Sequence, residues 1–242
     1  MNAFLKAESL KSKHSFSLKL IFIAPLSTVL LAFLMGGFLN LESMGIYWWY
    51  SFILCGVIAI MSALSIQREE RAGKFYSVYS MPLNLSKLWI AKILNIAKYL
   101  LLANLVLAIL LIFLSFIGIT SFVIGFERIL LGCIAIAVVS LWQIPLCLWL
   151  AMKVGRFVPL LLNSLIGLFS TFIAASDYWR LVPYTWVPNI VEVITGIKSS
   201  GDMGNRESVN MSIVLFVLCG ATLLFVLLTY LTSRWFARQE VK

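Results

Sequence analysis

Leu20-Ile21-Phe22-Ile23-Ala24-Pro25-Leu26-Ser27-Thr28-Val29-Leu30-Leu31-Ala32-Phe33-Leu34-Met35-Gly36-Gly37-Phe38-Leu39 is the stretch that decides the fold class, because it contains no charged residue. As a helix it rises about 30 Å, the thickness of the hydrocarbon layer of a bilayer. It exceeds the roughly 7 to 15 apolar residues of a signal-peptide core and ends without a small-x-small cleavage pattern, so it reads as a retained span. Similar runs occur at 48–66, 99–122, 129–152, 157–176 and 209–233. Each backbone amide in hydrocarbon must be paired within the protein, which makes each run a helix. Barrel strands would alternate in polarity over about 10 residues, and these runs do not. The expectation is an all-α integral membrane protein, one transmembrane domain over 1–242 with six transmembrane helices.

Composition agrees with this. The chain is 62% hydrophobic and only 12% charged, whereas soluble domains average roughly 45 to 50% apolar and about 25% charged. The net charge of +9 does not point to nucleic acid, because the basic residues lie in short segments between apolar runs, where they set orientation. With six spans, all the Lys and Arg except Arg128, Arg180, Lys198 and Arg206 fall on one side. The positive-inside rule makes that side cytoplasmic and places both termini there. The cysteines Cys55, Cys133, Cys147 and Cys219 all lie in apolar runs and form no C-x-x-C pair, so they read as packed thiols. On one continuous helix Cys133 and Cys147 would stand about 21 Å apart, far beyond disulfide reach.

Segment 1–18 places Ala3, Phe4, Ala7 and Leu10 at helical spacing with Lys6, Lys11 and Lys13 on other faces, which suggests an interfacial helix on the inner membrane surface. Segment 177–208 is the long external one, broken by Pro183, Pro188 and Gly201, with Asn189 capping a helix that would run through Ile197. The most informative segment is the inner loop 67–92. Charges from Arg68 through Glu69 and Glu70 to Arg71 lead by Gly73 and Lys74 into Phe75, Tyr76, Val78, Tyr79 and Met81. Pro82 then stops any helix, because it has no amide donor. Asn84 or Ser86 caps the next helix, and Trp89 and Lys92 read as anchors at the inner interface. A short helix with aromatic body and charged rim suits docking to a soluble partner; the same pattern also suits an amphipathic helix resting on lipid.

The loop resembles the first inner loop of ABC-transporter permeases of the second (ABC-2-like) type. The matching positions are Glu69, Glu70, Arg71, Gly73, Met81, Pro82, Leu83, Ser86, Lys87 and Lys92, although Lys74 stands where the wider family places Thr. Within that class the chain is similar to lantibiotic-immunity permease subunits of the mutacin and epidermin type. The shared features are Ala7 to Lys11, Ile23-Ala24-Pro25 in span one and Trp48-Trp49-Tyr50 at the start of span two. The resemblance implies a multi-pass subunit of the bacterial cytoplasmic membrane that expels a lantibiotic-type antimicrobial peptide and gives its producer self-immunity. It implies as partners an ABC ATP-binding subunit carrying ATP and magnesium, a second homologous permease, the peptide and membrane lipid. The ATPase-coupling residues would be Arg68, Glu69, Glu70, Arg71, Gly73, Lys74, Phe75, Tyr76, Tyr79 and Pro82. A generic permease for another amphipathic substrate and a non-transporting immunity or scaffold protein are the alternatives.

Aromatics crowd the outer side at Tyr47, Trp48, Trp49 and Tyr50 and again at Tyr178, Trp179, Tyr184 and Trp186. They read as interface anchors or, with Glu42, Glu127, Asp177, Glu192, Asp202 and Glu207, as a landing surface for a peptide. Asn104, Gln143 and Asn163 inside spans read as interhelical glue or as the lining of a path. Trp48, Trp49, Tyr50, Trp179, Trp186, Asn104, Gln143 and Asn163 are therefore the candidate substrate contacts. Lys98 is placed to snorkel at the inner end of span three. No catalytic, cofactor or metal site is expected on this chain. A phosphate-binding G-x-x-x-x-G-K-[ST] is missing, the only His is His14 outside every span, and Asp177 and Asp202, the only aspartates, lie in one external segment. These absences also argue against an intramembrane protease. Reporter fusions check the orientation: alkaline phosphatase joined after Lys74 should be inactive and active after Asp202, and the reverse pattern would refute it.

Overall fold

The structure is a computed structural model that describes residues 2–13, 15–72, 84–118, 124–204 and 210–239. It is an all-α, multi-pass membrane protein. Helix α1 (Asn2–Ser12) precedes α2 (Phe16–Gly36), which is the first span. The second span is α3 (Leu41–Trp48), a π turn (Trp49–Ile53) and α4 (Leu54–Arg71) in line. The third is the long α5 (Leu85–Phe116). Helices α6 (Phe126–Val139) and α7 (Gln143–Lys153) meet at a 43° bend, and α8 (Phe157–Ala174) follows. Two 3-10 turns, Asp177–Leu181 and Pro183–Thr185, lead into α9 (Trp186–Thr195), and α10 (Met211–Ala237) ends the bundle.

Five helices are long and apolar enough to cross a membrane alone, and the bent pair brings the number to six. Contacts at its two ends show that the pair traverses the bundle. Just before α6, the Ile124 amide donates to the Glu42 carboxylate at the start of α3. Just after α7, Arg156 pairs with Glu70 at the far end of α4, at 3.2 Å. Helix α1 and the end of α10 both lie at that second end. Glu8 of α1 reaches Lys92 near the start of α5. The Trp89 ring stacks on Phe236 near the end of α10, with centroids 4.6 Å apart, and its Nε1 donates to Thr232 Oγ1.

The sequence expectation of a continuous fourth span across 129–152 is corrected by the bend. Pro145 has no N–H for the carbonyl four residues back, Leu141, and its ring crowds that oxygen, so the helix breaks over Ser140 to Trp142. Other spans run longer than their apolar cores. The 32 residues of α5 and the 31 of the second span give lengths of about 48 and 46 Å, against about 30 Å of hydrocarbon. Both helices therefore overhang the membrane. At the terminal end the overhang forms the stem of the hairpin that carries 73–83, which lie outside the described residues.

Helix α5 is central: α1, α2, α6 and α10 all pack on it, while α4 packs on α7 and α8. Trp49, Ile58, Met61, Leu100, Leu107, Ile136 and Leu148 lie within the core. Large apolar side chains on α2, α8 and α10, among them Leu34, Phe172 and Leu223, remain uncovered. These are the faces that match lipid.

Hydrophobicity does not draw helices together in lipid, so close packing depends on small residues. A Cβ placed on Gly167 of α8 would lie 2.6 Å from Cys55 Sγ and 2.7 Å from the Ser51 carbonyl oxygen. The π turn contains Ser51 and is defined by the Leu54 amide donating to the Trp49 oxygen. Gly167→Ala should thus force two spans apart and lower stability by about 1 to 3 kcal/mol. Gly125→Ala, which meets nothing within 4 Å, is the control; equal melting temperatures for the two variants in detergent would contradict this packing.

Candidate functional site

At the terminal end, four charges converge on the stem. Lys92 Nζ lies 3.1 Å from Glu8 Oε1 and 2.6 Å from Glu69 Oε1. Lys11 Nζ lies 3.3 Å from Glu8 and 2.8 Å from Glu69, completing a ring of alternating sign. Glu8 and Lys92 are each 1% exposed and Glu69 is 4% exposed. Burial opposes the charge on Lys11, but hydrogen bonding and attraction from Glu69 and Glu8 hold its ammonium above the ordinary lysine value.

Helical periodicity builds this ring. On α5, Lys92, Asn95 and Tyr99 recur at three- and four-residue steps and share one face; on α1, Glu8 and Ser12 do the same. Asn95 Nδ2 donates to Ser12 Oγ, and Ser12 Oγ also meets the Tyr99 hydroxyl. The segment expected to form an interfacial helix packs its polar face against α5. Lys92 and Trp89, expected as interface anchors, are buried. Asn84 rather than Ser86 caps α5, its Oδ1 accepting from the Lys87 amide.

The four loop charges are sorted by direction. Glu69 points into the ring, and Arg68 donates to Ser15 Oγ at 2.8 Å. Glu70 pairs with Arg156, and Arg71 is exposed. With its amide oriented oxygen-outward, Gln67 accepts from Arg156 at 2.6 Å and from Arg71 at 3.1 Å. Glu69 is thus part of the stem, whereas Glu70, Arg71 and Arg156 form its charged rim. The remaining coupling-loop candidates, Gly73, Lys74, Phe75, Tyr76, Tyr79 and Pro82, lie outside the described residues.

The candidate substrate contacts divide into two groups. Trp49 and Tyr50 are buried, and Trp49 Nε1 donates to Asn104 Oδ1 at 2.9 Å, which makes this pair a strut between spans two and three. Trp48 is half-buried, with its ring edge-on to Tyr47. Trp179 and Trp186 both contact Phe216 of α10 edge-on, and Trp186 Nε1 donates to the Arg180 carbonyl. Glu42, expected among the outer acids, is 3% exposed and accepts from Ser115 Oγ and the Ile124 amide.

At the helix break, Asn163 Nδ2 donates to Gln143 Oε1 at 3.0 Å and to the Cys55 carbonyl at 2.8 Å, while the Tyr184 hydroxyl donates to Asn163 Oδ1 at 2.7 Å. Gln143 and Asn163 therefore join α7, α8 and α4 to each other. Asn189, expected as a cap, sits inside α9, which begins at Trp186; its amide donates to the Ala174 and Thr185 carbonyls. Cys55, Cys133 and Cys147 are buried free thiols and Cys219 is exposed. No group of three or more potential metal ligands occurs among the described residues.

Sequence reasoning did not find a polar cleft of about 740 Å³ at the opposite end, between the first turn of α6, the end of α8, α9 and the start of α10. Its charged residues come from four separate elements, so no local pattern announces it.

These features define a multi-pass, all-helical membrane protein with a charge-clamped hairpin stem. No family model, curated protein or solved structure matches the chain.

Removing one member of a buried ionic group leaves its partners uncompensated. Lys92→Met should cost about 3 to 5 kcal/mol, and Glu69→Gln added to it should recover part of the loss. Melting in detergent decides this; a double variant no more stable than Lys92→Met alone would mean that the ring is not a coupled unit.

Proposed function

We propose that this chain is the membrane-spanning permease subunit of an ABC exporter in a bacterial cytoplasmic membrane. It expels a lantibiotic-type peptide alongside a second homologous permease, and a separate ATP-binding subunit hydrolyses ATP with magnesium. The observation that carries the reading is the stem: buried Glu8, Glu69 and Lys92, with Lys11 closing the ring from its exposed side, fix α1, α4 and α5 together. A soluble motor can move spans only if it pushes on a part that does not yield. A clamped hairpin, basic-sided and rimmed by Glu70, Arg71 and Arg156, meets that need.

The rim charges fix register with the motor, and the aromatic residues of 73–83 supply the buried contact. Both termini then lie in the cytoplasm. The buried Trp49, Tyr50 and Asn104 hold spans together in this reading, and the peptide meets other surfaces. Enzymatic activity belongs to the partner, because this sequence carries no phosphate cradle.

The test is charge reversal on the rim. Glu70→Lys with Arg71→Glu should cut co-purification of the ATP-binding subunit and peptide resistance about tenfold or more, as expected where several charge contacts are lost. Unchanged association and resistance would overturn the docking role. Protection of a sensitive host by this chain alone, without any ATP-binding subunit, would instead favour a non-transporting immunity protein.

A further inference from the structure

At the terminal end two spans finish on a cation. The bent span carries no charge from Ile129 to Met152 and then meets Lys153, and α10 carries none from Met211 to Ser233 and then meets Arg234. Each cation therefore stands where its helix leaves hydrocarbon for headgroups. Apolar neighbours mark the same level: Val154 and Phe157 beyond Lys153, and Tyr230 and Leu231 before Arg234, are exposed.

Indole rings join the two helix ends there. Trp149 of α7 and Trp235 of α10 lie edge-on with centroids 6.3 Å apart, and Trp235 in turn meets Trp89 of α5 edge-on at 6.5 Å. The Lys153 ammonium sits 4.9 Å from the centroid of the Trp149 ring, and the Arg234 guanidinium carbon 4.6 Å from that of Tyr230. A ring face positions a cation without neutralising it, so the charge stays available to an anion.

Snorkelling alone explains two cations at an interface, but not the unused donors beside them. Trp89 Nε1 donates to Thr232, whereas the indole N–H groups of half-buried Trp149 and Trp235 have no acceptor among the described residues. Lys153 and Arg234 take part in no ion pair among those residues; the pairs at this end engage Lys11, Lys92 and Arg156. An ammonium and two indole N–H groups donate and cannot accept. A seam lined by them selects a ligand rich in acceptors and free of any cation of its own.

The way in is apolar. Leu223, Leu227 and Leu231 are exposed on α10 and recur at four-residue steps, so they form one stripe that leads to Trp235.

We propose that the seam between α7 and α10 holds the headgroup of an anionic phospholipid from the leaflet on the terminal side, its phosphodiester oxygens accepting from Lys153 and from the indole N–H groups of Trp149 and Trp235. The acyl chains run along the leucine stripe. A zwitterionic headgroup would bring its own ammonium toward Lys153 and be repelled, which makes phosphatidylglycerol a better occupant than phosphatidylethanolamine. The site does not depend on the chain being a transporter.

The experiment is native mass spectrometry of the full chain released from micelles doped equally with phosphatidylglycerol and phosphatidylethanolamine. Phosphatidylglycerol should be retained about fivefold or more over phosphatidylethanolamine, as expected for about one charge contact. Lys153→Gln, at an exposed position, and Trp149→Phe, which keeps a ring but removes its N–H, should each lower that preference about threefold. Lys98→Gln removes the same charge from an exposed position on α5 and should leave the preference unchanged. Equal retention of the two lipids, or Lys153→Gln and Trp149→Phe variants that behave as Lys98→Gln does, would overturn the proposal. So would a dimer that carries no phospholipid, which would assign the seam to a second copy of this chain.

Discussion

A carboxylate removed from water must gain a compensating cation or take up a proton, and Glu69 at the end of the second span meets that demand with two ammonium groups. Much of the terminal end follows from this. Lys92 reaches Glu69 because α5 starts well before its apolar stretch, and Lys92 in turn is buried because Glu8 closes the ring from α1. The ring thereby fixes α1 against the α4–α5 stem, to which the chain links it only through the first span. Its net charge is zero, so the group can be buried without a residual charge to solvate. The arrangement is stiff for the same reason: separating Lys92 from Glu8 or Glu69 leaves a buried charge in a medium that solvates it poorly.

Deeper in the bundle the governing constraint is the backbone. Hydrocarbon offers no hydrogen-bond partner, so a break in a span must be compensated by side chains. Pro145 makes such a break, and Gln143 sits beside it, accepting from Asn163, which also donates to the Cys55 carbonyl. The π turn one span away is supported similarly. Its extra residue brings the Ser51 carbonyl toward α8, where only a residue without a side chain fits, and Gly167 is that residue. Polar and small residues in these spans thus do one job, allowing irregular helices to pack closely.

The number and approximate place of the spans were legible because hydropathy is a local property, summed over about 20 residues. Helix ends were less so. Leu85 to Lys98 is mixed in polarity and reads as a capped helix at the inner interface with the span beginning only at Tyr99, yet it runs unbroken into that span as the first part of α5, where α1 covers it. The bend at Ser140 to Trp142 was in principle readable from Pro145, but the apolar run masked it. The ring was half legible: the polar stripes Glu8 and Ser12, and Lys92, Asn95 and Tyr99, are visible as helical periodicities. Nothing local says that they face one another, because Glu8 and Lys92 are 84 residues apart. The same limit explains Trp49, Tyr50 and Glu42. Each has the composition of an interface residue, and burial in the bundle is decided by neighbours far along the chain.

The two ends of the molecule consequently differ in mechanical character. At the terminal end, charges are paired inward and tie α1, α4 and α5 into one unit, so a push on the hairpin cannot be absorbed by sliding within it. At the other end, Arg128, Asp177, Glu192 and Lys198 line a cleft walled by four elements joined by turns and a single bridge. Between them, α4 packs on α7 and α8, and α9 packs on α6. The bend between α6 and α7 is therefore the place where a displacement entering through α4 meets the elements that wall the cleft. If a motor moves the stem as proposed, a straight helix there would carry that motion unchanged, whereas one broken at Pro145 lacks one of the backbone hydrogen bonds that would resist a pivot.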